Sequence, residues 1–211
     1  MIHRCVWLFC MISFFLTPVQ AAERVVVKRV LDGDTLVLED GRRIRLIGVD
    51  APEIHNEDKL KEETEIYGKD VGGVRAMGEK AKAFVEGLVA GKKAILEYDI
   101  FNAVSNDRDQ YGRTLAYVKF DCRKPPQELA DLFKARGLKL KWKKEGVNLS
   151  AIILQCGYGR VFKKFPFKYQ DSFKQFEKEA RENHLGLWKP DLSPSETGDT
   201  GLKISQETDS I

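Results

Sequence analysis

Two aspartates stand in tight turns early in the chain, Asp34 in Asp-Gly-Asp-Thr (residues 32–35) and Asp50 in Val-Asp-Ala-Pro-Glu (residues 49–53). If neighbouring antiparallel strands bring them to one rim, their charges repel unless a cation lies between them. Oxygen ligands of this kind favour a hard divalent ion, Ca²⁺ or Mg²⁺, over zinc. Each aspartate taken alone also suits ordinary turn chemistry. Arg45, in Ile-Arg-Leu-Ile-Gly-Val (residues 44–49), shares a strand face with Ile47 and Val49. It stands either at an edge or among apolar neighbours, held there by an anion. A guanidinium fork matches a phosphate or carboxylate through two parallel hydrogen bonds. Arg113 follows Tyr111-Gly112, where glycine lets the backbone bend and the tyrosine offers a hydroxyl. Glu53, three residues after Asp50 with Pro52 stiffening the turn, places a second carboxylate near the cation without using it as a ligand. The competing reading is a structural cluster in which Arg45 and Arg113 simply neutralise Asp34, Asp50 or Glu53.

The elements that must position these groups follow from hydrophobic period. Alternation predicts strands over residues 23–31, 35–39 and 43–49, with Asp40-Gly41 as a hairpin turn. Residues 54–76 are polar and glycine-bearing and suggest a long surface loop with room for a helical turn. Ala81, Phe84, Val85, Leu88 and Val89 recur at helical spacing over residues 78–91, and Gly91 ends the run. Further strands are predicted at 93–98 and 114–120, and helices at 149–155 and 169–183. Five strands with a helix inserted after the third describe a small barrel rather than a parallel sheet. The basic stretch 133–146, which includes Trp142, is either an extra contact for a polyanion or a solvated insertion.

The chain has 211 residues, 43% hydrophobic and 32% charged, which suits one soluble domain and excludes disordered or membrane-spanning compositions. A net charge of +3 says almost nothing about a nucleic-acid partner, so local clustering must carry that argument. Residues 1–21 place His3 and Arg4 before an apolar run and end in small residues, the layout of a secretory signal cleaved after Ala21. The expected location is therefore secreted or periplasmic, with membrane attachment only if the leader stays uncleaved. Residues 22–190 form the expected domain, and 191–211, without periodicity or aromatic residues, a disordered tail. Cys122 and Cys156 allow one disulfide in an oxidising compartment, or remain two separate buried thiols.

Taken together, Asp-Gly-Asp-Thr, Arg-Leu-Ile-Gly-Val-Asp-Ala-Pro-Glu, Tyr-Gly-Arg and the terminal Gly-Leu-Trp (residues 186–188) resemble the thermonuclease family, the staphylococcal nuclease-like domains, from about Arg24 to Trp188. The resemblance implies an α+β, OB-fold-type five-stranded antiparallel β-barrel with about three packed helices. It also implies a Ca²⁺-dependent nuclease that cuts DNA and RNA and leaves 3′-phosphates. By motif, Asp34, Asp50 and the Ala51 backbone carbonyl are the implied metal ligands, although the family often has threonine at the Ala51 position. Arg45 and Arg113 are the implied grip on the scissile phosphate, Glu53 the general base, and Tyr111 a nucleotide-pocket residue. Gln110 departs from the lysine of the prototype. DNA and RNA are the expected partners, of a monomer with no obligate protein partner. The alternative is a barrel of this family that binds nucleic acid without cutting it.

Overall fold

The computed structural model describes residues 23–123, 127–135 and 146–190. The leader, the tail and most of the basic stretch, Trp142 included, lie outside the described residues. A barrel is built from β1 (Glu23–Asp32), β2 (Thr35–Leu38), β3 (Arg43–Leu46), β5 (Lys93–Glu97) and β6 (Thr114–Phe120) in the order β3-β2-β1-β5-β6. Register shifts between Val27 and Arg29 and between Val30 and Asp32 bend β1, so its first half pairs with β5 and its second with β2. Four of the pairings are antiparallel, as expected. The fifth closes the barrel and is parallel, Ile44 opposite Thr114 and Leu46 opposite Ala116. Leu36, Leu38, Ile44, Leu46, Leu96, Ala116 and Val118 fill the interior.

Alternation along β3 puts Ile44 and Leu46 inward and Arg45 outward. Here the sequence expectation is corrected: the strand stops at Leu46, so Arg45 does not share a continuous face with Ile47 and Val49. Gly48, with φ +79°, turns the chain into a two-residue strand, β4 (Val49–Asp50), which pairs with β8 (Arg160–Val161). A further short strand, β7 (Val147–Asn148), extends β6.

The polar segment after β4 is not a loop. It forms α1 (Glu57–Tyr67), and α2 (Val71–Val89) begins seven residues earlier than the apolar period suggests. In α1 the Asn56 side chain accepts from the Asp58 and Lys59 amides at 3.1 Å, acids fill the first turn, and Gly68 ends the helix at φ +62°. Only Leu60 and Glu63 of α1 are buried, so no apolar stripe announces it. Asp70 caps α2 in the same way, accepting from the Gly73 amide at 2.7 Å. A Cβ on Gly78 would stand 2.7 Å from the Pro52 carbonyl oxygen, so glycine there lets α2 support the Asp50–Glu53 turn directly.

Three more helices, α3 (Gln127–Ala135), α4 (Leu149–Gln155) and α5 (Gln170–Glu182), bring the total among the described residues to five rather than about three. Cys122 and Cys156 are both buried thiols, and no disulfide joins them. The start of α5 is tied to the barrel by Glu97, whose carboxylate meets Lys119 at 2.6 Å and accepts from Lys168 and the Tyr169 hydroxyl at 2.8 Å. Burial pushes the Glu97 carboxyl up, but these donors outweigh it and hold it at about 2. Stability from a depressed acid is present above its unfolded value and is lost as pH falls toward the folded one. The stability difference between wild type and Glu97→Gln, read by urea unfolding, is therefore expected to shrink as pH falls from about 4.5 to about 2. A difference that stays constant over that window would show that the network does not hold α5 electrostatically.

Candidate active site

The Asp32–Thr35 turn, the end of β3 and β4 converge on one guanidinium. Arg45 Nη1 lies 3.3 Å from Asp34 Oδ1, and its Nη2 lies 3.1 Å from Asp50 Oδ1. The same Nη1 donates to the Val49 carbonyl at 2.6 Å and to the Leu46 carbonyl at 3.0 Å. The expected meeting of Asp34, Asp50 and Arg45 is thus observed. Ala51 joins them, its amide donating to Asp34 Oδ2 at 2.9 Å. The Thr35 hydroxyl donates to Asp34 Oδ1 at 3.0 Å and accepts from Arg113 Nη1 at 3.2 Å, so Arg113 reaches the carboxylates through Thr35.

Arg113 takes its anionic partner from a residue that sequence reasoning missed. Asp109 Oδ2 accepts from Arg113 Nε at 2.7 Å, while Oδ1 accepts from the Tyr111 and Arg113 amides at 3.0 and 2.9 Å. Asp109 therefore shapes the Tyr-Gly-Arg turn and aims the guanidinium together. Tyr111 is 67% exposed, its ring 5.4 Å from the Arg113 guanidinium carbon.

Glu53 stands one turn along from this group. Its Oε1 accepts from the Ile54 and His55 amides at 2.9 and 3.0 Å, and Lys59 lies 3.6 Å from Oε2. Burial pushes the Glu53 carboxyl up, but the His55, Ile54 and Asn56 amides overcome it and hold it below the usual range. It is ionised at neutral pH and able to accept a proton.

Two more charged side chains complete the site. Arg160 faces Asp50 across the β4–β8 pair, with Nη2 2.5 Å from Asp50 Oδ2 and 3.5 Å from Glu63 Oε1. Glu63, buried on α1, accepts from the Glu53 amide at 2.8 Å. Arg160 thus connects one carboxylate of the pair to the helix that fixes the Glu53 backbone. Phe162 follows on the same segment, its ring 5.7 Å from the Arg45 guanidinium carbon, and Phe165 beyond it is 59% exposed. No spacing rule links Arg160 or Glu63 to Asp50 in the sequence; the available signal was one arginine between apolar residues in Gly-Arg-Val-Phe (residues 159–162).

The electrostatics favour a cation. Burial, then the Asp34 charge, raises the Asp50 carboxyl above its ordinary value. The same two causes push Asp32, which accepts from the Asp34 amide at 3.0 Å, up to about 7. The acids here exceed what Arg45 and Arg160 neutralise. Among the described residues no three His, Cys, Asp or Glu side chains form a ready metal cage. A cation would therefore rest on Asp34 and Asp50, completed by a backbone carbonyl and by water or substrate oxygens, a donor set that suits a hard ion.

A mixed five-stranded barrel with packed helices is consistent with the OB-type fold of the family whose model this chain matches. The chain belongs to the family described as Staphylococcal nuclease homologue, whose family model matches residues 43–190. It is 31% identical over 172 residues to a thermonuclease of Staphylococcus intermedius, covering 79% of this chain and 77% of the relative. It is 33% identical over 168 residues to an uncharacterised protein of Methanocaldococcus jannaschii, covering 77% and 70% respectively. A micrococcal nuclease of Shigella flexneri is 26% identical over 174 residues, covering 81% and 76%.

Arg160→Met removes the counter-charge that Asp50 and Glu63 share. The expected cost is about 2 kcal/mol in metal-free buffer, between an exposed and a fully buried pair, because both side chains are half-buried and Asp50 keeps Arg45. Calorimetry should show Tm lower by roughly 4–8 °C for a chain of this size, with Arg160→Lys recovering part of the loss. An unchanged Tm would mean that Arg160 does not hold β4 in place.

Proposed function

We propose that this chain is an exported, Ca²⁺-dependent nuclease that hydrolyses phosphodiester bonds of DNA and RNA with little sequence specificity and leaves 3′-phosphates. Membership of the family and relatives named thermonuclease and micrococcal nuclease support a nuclease. The observation that carries the reading is the linked pair of guanidiniums, Arg45 and Arg113, set around Asp34 and Asp50. A pure binder has no need of a buried and a half-buried carboxylate beside a phosphate grip. Export to a secreted or periplasmic location rests on residues 1–21 alone.

In this reading Asp34, Asp50 and the Ala51 carbonyl hold the ion, and Ca²⁺ supplies positive charge at the phosphate when bound. Glu53 orients a water and takes its proton, and the resulting hydroxide forms a new P–O bond. The P–O5′ bond breaks, the leaving 5′ oxygen takes a proton from solvent water to become a hydroxyl, and the phosphate stays on the 3′ oxygen. Negative charge growing on the phosphate oxygens is met by Arg45 and Arg113, both already fixed by protein partners and needing little reorganisation. Tyr111, exposed beside Arg113, lines the nucleotide pocket.

The test is digestion of single-stranded DNA by the mature protein, residues 22–211, with Ca²⁺ or with EGTA, alongside Glu53→Gln and Arg113→Ala. Cleavage should vanish in EGTA and fall about a hundredfold or more in each variant. A folded protein that retards DNA on a gel yet leaves it intact with Ca²⁺ supplied is a binding module, and the catalytic reading is then wrong.

A further inference from the structure

Beside the Tyr111 turn lies a hollow of about 300 Å³, lined by Arg42, Arg43, Arg108, Tyr111 and Thr114 together with two glycines. The topology explains why these side chains meet. The closing β3–β6 pair sets Ile44 opposite Thr114, Arg43 precedes Ile44, and an isolated bridge sets Arg108 opposite the same Thr114. The three arginines are not equivalent. Arg42 is already neutralised, bonded to Asp40 Oδ2 at 2.8 Å through Nε and paired with Glu23. Among the described residues no carboxylate lies within 4 Å of the Arg43 or Arg108 side chain, and the Arg108 guanidinium donates only to the Gly112 carbonyl, at 3.1 Å. Both are exposed. Most other arginines near the site are matched by acid: Arg45 by Asp34 and Asp50, Arg113 by Asp109, Arg160 by Asp50 and Glu63.

Two guanidiniums gathered without a counter-ion repel each other, and an anion between them reverses the sign of that interaction. Their planar forks suit phosphate oxygens. With a net charge of only +3, the excess at this hollow is local rather than part of a generally basic surface. Tyr111 is shared, since it lines the hollow and also stacks near Arg113. Gln110 beside it adds no charge. The hollow therefore adjoins the phosphate grip and offers a second anionic position along a strand.

We propose that Arg43 and Arg108 form a phosphate subsite that holds an internucleotide phosphate of the substrate strand one step away from the scissile one. This rests on the nuclease reading, and its ligand is the sugar-phosphate backbone of single-stranded nucleic acid whatever its bases. The subsite gives the enzyme a grip on polymer that the reacting phosphate alone does not provide.

The experiment uses the mature chain with Arg43→Gln and Arg108→Gln together. The probe is a fluorescent 12-residue oligothymidylate lacking terminal phosphates, followed by anisotropy in EGTA so that nothing is cut. Wild type and variant are compared from 50 to 200 mM salt. Losing the one phosphate that the two arginines hold should raise Kd about tenfold at low salt and flatten the slope of log Kd against log salt by about 0.7. A charge-matched control, Lys80→Gln with Lys174→Gln on the exposed faces of α2 and α5, should change neither. Equal Kd and slope in wild type and variant would overturn the subsite, as would an equal loss in the control, which would reduce it to bulk charge. Because binding is read without Ca²⁺, failure here is separate from failure of the cleavage assay.

Discussion

One guanidinium organises this molecule's chemistry. Arg45 joins two carboxylates that would otherwise repel each other, and its remaining hydrogen bonds bind the carbonyls of Leu46 and Val49 on either side of the Gly48 turn. It therefore fixes both the charges and the backbone that carries them. Burial makes the arrangement exacting. A buried carboxylate that loses its partner costs several kcal/mol, so the site tolerates few alternative conformations.

Everything near Arg45 serves that geometry. The two-residue β4 is too short to be stable alone, and it is held by β8 through the Asp50–Arg160 pair. Arg160 also touches Glu63, which binds the Glu53 amide, so Glu53 and Asp50 share one support. From the other side α2 approaches the same turn closely enough that only glycine fits at position 78. Arg113 is placed independently, by the Asp109 turn, and is coupled to the rest through one hydroxyl, that of Thr35.

The barrel was legible because its strands alternate and its turns carry glycine, and Asp34, Arg45, Asp50 and Arg113 were legible because each lies at a strand end beside such a turn. What escaped was set by contacts distant in sequence. Arg160 meets Asp50 across more than a hundred positions, and neither residue's neighbours reveal the other. Helix α1 escaped because it buries little more than Leu60 and Glu63 and is held by its caps, so hydrophobic period had nothing to detect. Asp109 looked like one more turn residue, and its partnership with Arg113 depends on the turn being closed. The Arg45 face was misjudged because β3 ends at Leu46, two residues before the positive φ of Gly48 redirects the chain.

The parallel seam between β3 and β6 ties together segments about seventy residues apart. Such a pairing carries a high loop-closure entropy and forms only after the local hairpins have reduced it. A chain that has assembled β1 to β3 already contains Asp34, Arg45 and Asp50, yet it lacks Arg113 and the strand that buttresses Asp50 from the far end of the fold. Closing the seam thus also brings Arg113 to the rim that carries Asp34, Arg45 and Asp50. Partly folded forms, whether emerging from synthesis or opening under stress, carry only a fragment of the machinery.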